Sequence, residues 1–305
     1  MEPSSVTLEP YRRVLGAMVF TFLNLLAIGE PSMAGTGARI ETDFEVPLHY
    51  TTDQAGDFLF LHPPSTEKRM TCMYGISPSR ASTGSLETDA DKALAVAAPP
   101  GYTVVTSSAP ASMRGRSASG WPFFWRRAEY TGQFKGGPVS VRAMAMVFPA
   151  GSGRVNVVFG VGPVETCSLD DASFAQLFHS LHPHGWQADG ANSLGREIAG
   201  VWSFDSAVAA AAFVFTPTGR YTFSARFKLE TGKDGKNEGR YEIQGDELLL
   251  ISDDSDQGTQ RSRISLYEEW RQGHWTRGMS LLQEVRSPDK PLIYYLQRYQ
   301  GFLQR

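Results

Sequence analysis

Cysteine is scarce in this chain, with two among 305 residues, Cys72 and Cys167. They are far apart, and no C-x-x-C spacing is present, so neither a zinc ribbon nor a thioredoxin-type redox centre is indicated. Charge of one sign is also lacking. Lysine and arginine number 29 against 32 aspartates and glutamates, a net charge of -3. That balance gives no argument for nucleic acid as a partner. The nucleophile elbow Gly-x-Ser-x-Gly, the Walker loop, Gly-x-Gly-x-x-Gly and His-Glu-x-x-His are all missing. Serine, histidine and aspartate are plentiful, but no spacing joins them into a triad, and paired carboxylates fall only in turns. The balance tilts away from an enzyme, and no cofactor is indicated.

The apolar run Val14 to Gly29 is short for a membrane-spanning helix. Arg12 and Arg13 precede it. Small residues follow at Ser32-Met33-Ala34 and Thr36-Gly37-Ala38. This order describes a secretory signal peptide over residues 1–38, cleaved after Ala34 or Ala38. An uncleaved anchor is the alternative. Val14-Leu15-Gly16 fits the twin-arginine route poorly. A periplasmic or secreted location follows, and with it an oxidising compartment in which Cys72 and Cys167 can pair.

Glycine and proline are frequent, and the predicted elements are mostly short strands. The fold class is α+β, mostly β. Residues 39–189 read as one domain and 190–305 as a second. In the first, Arg69 to Ile76 and Gly101 to Thr106 are candidate strands, and Ser85 to Val96 is a short helix or a linker. Val139 to Phe148 and Val155 to Phe159 form the clearest hairpin. A helix then carries Phe174, Leu177, Phe178 and Leu181 on one face, with Ser168 as its cap and Asp170 and Asp171 in its first turn. It should lie on the sheet and end at Pro183. Strands, a closing hairpin and then a helix make a layout that resembles the PsbP-like sandwich, whose members are often binding or accessory modules.

In the second domain, Arg220, Thr222, Ser224 and Arg226 alternate with Tyr221, Phe223, Ala225 and Phe227, which predicts a strand with one apolar face. Seven or eight such runs occur between turns at Pro217-Thr218-Gly219, Lys233 to Asn237 and Gln272-Gly273. Gly200-x-Trp202, Gly219-x-Tyr221 and Gly239-x-Tyr241 together resemble a lipocalin-like domain of the calycin type. The resemblance implies a small antiparallel barrel plugged at one end by Trp202, with Arg277 or Arg286 packed over it. Phe213, Phe215, Tyr221, Phe223 and Phe227 are then the candidate ligand-lining residues, and Gly200, Trp202, Cys72 and Cys167 the structural ones. After Pro288, Leu292, Tyr295, Leu296, Tyr299, Phe302 and Leu303 repeat at helical spacing and predict a C-terminal helix.

Three further stretches carry alternatives. Trp121, Phe123, Phe124, Trp125, Arg126 and Arg127 form either an exposed partner patch or core aromatics at the start of a strand. His179, His182 and His184 form either a metal site or a solvated helix end; the latter fits better, because no cysteine or carboxylate sits beside them. Ser252 to Gly258 is acidic but has Ile264 where a calcium loop needs glutamate, so it reads as a hairpin loop. The leading functional reading is an exported, non-enzymatic binding or accessory protein holding a small apolar ligand. Two alternatives remain: an interaction module of inhibitor or immunity type, and an envelope enzyme. A protein partner and peripheral membrane contact are the other candidate associations.

Overall fold

A computed structural model describes residues 40–47, 49–63, 72–98, 101–105, 111–117, 119–134, 137–164, 167, 172–184, 186, 194, 197–205, 209–227, 235–245, 247–271, 273–283 and 292–298. The expected signal segment, the caps Ser168, Asp170 and Asp171, and Arg286 lie outside them. The described chain is mostly β, all strand pairs are antiparallel, and it divides into two compact units.

The first unit comprises residues up to Ser112 and Phe123–Trp186. In chain order its elements are β1 (Thr42–Asp43), β2 (Thr51–Ala55), β3 (Phe58–His62), β4 (Met73–Ile76), β5 (Arg80–Ala81), α1 (Leu86–Ala97), β6 (Thr103–Val104) and the start of β7 (Ala111–Ser117). Then follow β8 (Pro122–Phe134), β9 (Gly137–Pro149), β10 (Arg154–Pro163), α2 (Ala172–Ser180) and β11 (His182–Pro183). Its sheet runs β2-β3-β4-β10-β9-β8-β6, and β5 continues the edge of β10 beyond β4. β1 pairs only with β11 among the described residues. The predicted hairpin is β9–β10.

Parity along β8 places the helices. Phe123 meets Phe178 of α2 at 5.0 Å. Arg126, three residues on and so on the opposite face, pairs with Asp91 at 2.7 Å and Glu87 at 2.9 Å on α1. The two helices therefore cover opposite faces of the sheet. Ser85 caps α1 by accepting from the Thr88 amide, and Ala90, Ala93, Leu94 and Ala97 are buried beneath it. Asp89 is also buried, its carboxylate satisfied by the Ser82 hydroxyl at 2.7 Å and the Thr83 amide at 3.0 Å. On α2, Phe174, Leu177 and Phe178 are buried as the spacing predicts, with Leu181 just beyond the helix; it ends at Ser180, three residues before Pro183.

Cys72 and Cys167 form a disulfide with a Cα separation of 4.8 Å. The surroundings hold it from both sides. The Tyr50 hydroxyl donates to the Cys72 carbonyl at 3.2 Å. Arg142 donates to the Cys167 carbonyl and pairs with Glu129 at 2.7 Å.

The second unit comprises Met113–Pro122 and the chain from Gln187. Its strands are β12 (Gly200–Asp205), β13 (Ala209–Phe215), β14 (Arg220–Phe227), β15 (Gly235–Gln244), β16 (Glu247–Ser252), β17 (Thr259–Arg271), β18 (His274–Gln283) and β19 (Leu292–Arg298). Each pairs with the next, and β19 also pairs with β12 through Trp202↔Arg298 and Ser203↔Gln297. Every strand from β12 to β19 thus has a neighbour on both sides. β17 outruns β16, and its far half, Ser265 to Glu269, pairs with β7. That pairing is why Met113–Pro122, read from sequence as part of the first domain, groups with the second unit.

Two expectations are corrected here. Leu292–Arg298 is a strand and not the start of a helix. Leu292, Ile293, Tyr294, Tyr295 and Leu296 are an unbroken apolar run that fits either period. Backbone pairing with both β18 and β12 decides between them. Second, β15 begins at Gly235, inside the stretch read as a turn, because its pairing with β14 extends from Arg220↔Arg240 to Ala225↔Gly235.

The disulfide joins residues 95 apart in sequence. Loop closure of that length should stabilise the fold by about 2–5 kcal/mol. Replacing both Cys72 and Cys167 by alanine should lower the unfolding free energy of the first unit by that amount, read as a lower denaturant midpoint, and a reducing agent should no longer shift that midpoint. An unchanged midpoint in the double variant would contradict the role assigned to the bond.

Candidate functional site

The apolar face of the second unit is built by alternation. On β14, Tyr221 is buried and Phe223 and Ala225 are partly so, while Arg220, Thr222, Ser224 and Arg226 are exposed. Strand register stacks these residues in rows. Gly200 lies opposite Phe215, and Phe215 opposite Tyr221. In the next row Trp202, Phe213, Phe223 and Asn237 are successive partners. A third row runs Phe204, Ala211, Ala225 and Gly235.

One end of this face is tightly packed. Trp202 is fully buried, and its indole N–H donates to the Ile198 carbonyl at 2.6 Å. Glu197, the preceding residue, pairs with Arg277 at 3.0 Å. Arg277 thus braces the segment that holds the indole. Gly200 has φ +141°, a conformation that residues with a Cβ rarely adopt. Gly239 is required for a different reason: a Cβ there would lie 2.0 Å from the Ile251 carbonyl oxygen. Phe213 and Phe215 stack with centroids 5.8 Å apart, and Phe215 meets Tyr241 edge-on at 5.1 Å. The Tyr241 hydroxyl donates to the Thr216 carbonyl at 2.8 Å. Ile198, Trp202, Leu248, Met279, Leu281 and Leu296 complete the buried cluster.

The other end is looser. Phe223 packs on Phe213 at 4.6 Å, and Phe204 and Phe223 are only partly buried. The rest of the Phe204 row, Ala211, Ala225 and Gly235, has almost no side-chain bulk. A Cβ placed on Gly235 would meet only the Ala225 Cβ, at 3.9 Å.

Burial raises the Tyr221 pKa above 10.0, the Asp253 carboxylate adding to it, and burial alone raises that of Tyr241. On the exposed side Arg220 binds Asp253 and holds that carboxyl below its ordinary value.

The predicted ligand-lining set is therefore spread over two environments. Phe213, Phe215 and Tyr221 belong to the packed end, and Phe223 to the looser one. Phe227 stands opposite Ala209 in the register, and its side chain lies outside the described residues. Phe204 and the small row were missed from sequence. The parity shared with Trp202 was the available signal for Phe204. Gly235 was hidden because its stretch read as a turn.

The aromatic–arginine segment is not an exposed patch. Trp121, Phe123, Phe124 and Trp125 are all buried; Phe124 and Trp125 stand opposite Val147 and Met146 of β9, and Phe123 packs on Phe178 of α2. Arg126 is spent on α1, and Arg127 lies over the Trp125 ring at 5.8 Å. The histidines diverge. His179 is buried beside Phe178, His182 is exposed, and His184 pairs with Asp43 at 3.0 Å. Among the described residues no group of three histidines, cysteines or carboxylates is placed to hold a metal ion. In the acidic loop, Asp254 accepts from the Asp256 amide at 3.1 Å, as a hairpin turn does.

Comparison with protein-family models, with curated proteins and with solved structures finds no match to this chain.

Trp202→Ala should cost about 3–5 kcal/mol. Trp270→Ala, at an exposed position, should cost less than about 1 kcal/mol. Denaturant unfolding of the two variants makes the comparison; equal losses would show that Trp202 is not the anchor.

The tyrosines predict a pH dependence of definite sign. Their raised pKa values contribute stability that is complete below 10.0 and is lost as pH rises through the folded values. Melting temperatures taken from about pH 9 to about pH 12 should fall, and Tyr221→Phe should flatten the fall. An unaltered slope in that variant would remove Tyr221 from the account.

Proposed function

We propose that the protein is an exported, non-enzymatic binding or accessory protein whose second unit is a small lipocalin-like barrel with a site for a small apolar ligand. The first unit is read as a PsbP-like sandwich serving the same accessory role. Strands β12 to β19 each have two neighbours, the pattern an up-and-down barrel requires. The disulfide and the basic-then-apolar N-terminus both fit an oxidising compartment.

One observation carries the ligand reading. The apolar face passes from fully buried Trp202, through packed Phe213 and partly exposed Phe223, to the row in which partly exposed Phe204 stands with Ala211, Ala225 and Gly235. A face meant only for packing would gain from filling that row, since each buried methylene is worth about 0.8 kcal/mol. Small side chains beside partly buried aromatics leave room for an apolar guest.

Uptake of N-phenyl-1-naphthylamine, followed by its fluorescence gain, tests the reading. The native protein should bind it. Ala225→Phe should fill the row, cut uptake at least about tenfold and leave the melting temperature within a few degrees. No uptake by the native protein, or equal uptake by the filled variant, would sink it. Native mass spectrometry of protein from its own envelope fraction then identifies the natural guest.

A further inference from the structure

The apolar face of β17 and β18 does not stop at the packed end. On β17 the residues following Ile264 and Leu266 in parity are Glu268 and Trp270. On β18, Arg277 and Trp275 continue the parity of Met279 and Leu281. The pairing strand β7 adds Arg114 opposite Glu268 and Arg116 opposite Leu266. Three strands of the second unit thus carry one face of tryptophan, arginine and glutamate. Its parts are held in place. Arg114 lies 4.3 Å over the Trp275 ring and pairs with Glu268 at 2.8 Å. Trp275 meets Trp270 at 5.4 Å, and Arg277 is paired with Glu197.

Trp270 is 40% exposed, one of three large exposed hydrophobic residues in the described chain. A cross-strand pair beside the Gly273 turn accounts for Trp275, which is contacted by both Arg114 and Trp270. It does not account for the open surface of the Trp270 indole. Charge is uneven as well. Arg114, Arg116 and Arg277 stand against Glu268 and Glu197, and among the described residues Arg116 has no carboxylate partner.

We propose that this face of β7, β17 and β18 binds an acidic saccharide. The argument is independent of the apolar-ligand reading. A pyranose ring offers an apolar C–H face, which stacks on an exposed indole, and a rim of hydroxyls, which need planar donors and acceptors. The Arg114–Glu268 and Arg277–Glu197 pairs supply such groups already oriented, with lone pairs and N–H groups left over. A sugar carboxylate or sulfate completes the balance by taking the fork of Arg116. A protein partner fits less well, because the centres of protein interfaces are depleted of charge and here Trp270 shares its face with Trp275, Glu268, Arg114 and Arg277.

The test is an array of acidic and neutral oligosaccharides, including uronate, sialate and sulfated members, probed with the full chain. Acidic members should be retained at moderate salt. Trp270→Ala, at an exposed position, should abolish retention while leaving the melting curve in place. Arg116→Gln should lower retention of acidic members at least about tenfold, the loss of a charge-assisted pair, and leave neutral ones unchanged. Retention of no glycan, retention equal in Trp270→Ala, or a protein captured through Trp270 in place of any glycan would each overturn the proposal. Because N-phenyl-1-naphthylamine uptake is measured separately, either site can fail without the other.

Discussion

Burial of Trp202 is the interaction on which the second unit depends. An indole removed from water must find a partner for its N–H, and here the Ile198 carbonyl provides it. That bond fixes the approach of the chain before β12. Gly200 then makes the turn that only a residue without a Cβ makes easily. Arg277, reaching from β18 to Glu197, ties the same segment to a strand two away in the sheet. Residues from β12, from β18 and from the chain before them therefore meet at one point. From there the rows of the apolar face are set by strand register, since a slip of one residue in β14 would turn Tyr221, Phe223 and Ala225 outward together.

The first unit rests on a different device. Its central strands, β8 to β10, are buried on both faces, so alternation is weak and small residues matter. Ala143 and Ala145 on β9 are completely buried beneath the side that carries α1, where larger side chains would hold the helix away. Charge then locks what packing positions. Arg126 joins β8 to α1, and Arg142 joins β8 and β9 to the disulfide. The Arg142–Glu129 pair is buried enough that removal of one partner costs more than the pair contributes, whereas Glu87 and Asp91 are exposed and their pairing with Arg126 positions more than it stabilises.

The proposed ligand reading rests on a contrast between the two ends of one sheet surface. Where Trp202, Phe215 and Tyr221 meet, nothing is left open. At Phe204 and Phe223 side chains of large area stand beside alanine and glycine. Beyond the packed end, parity carries the same surface out to Trp270 and Arg114, where it becomes charged and exposed. The proposed apolar guest would lie on β12 to β15 and the proposed hydroxyl-rich one on β7, β17 and β18.

Much was legible in the sequence, for physical reasons that are local. Period-two alternation exposed β14, the Gly-x-aromatic motifs located the turns and Trp202, and i, i+3, i+4 spacing identified α2. An oxidising compartment made the pairing of Cys72 with Cys167 reasonable. Other features depended on partners distant in the chain. The run Leu292 to Leu296 satisfies either period, and only open strand edges on both sides make it β19. Trp121 to Trp125 could equally have faced solvent until β9 and two helices covered them. The pairing of β7 with β17 has no signature in either segment, because sheet hydrogen bonds join backbones and carry no residue identity. Composition and periodicity decide which residues seek burial, whereas tertiary pairing decides what buries them and which, like Trp270, are left exposed.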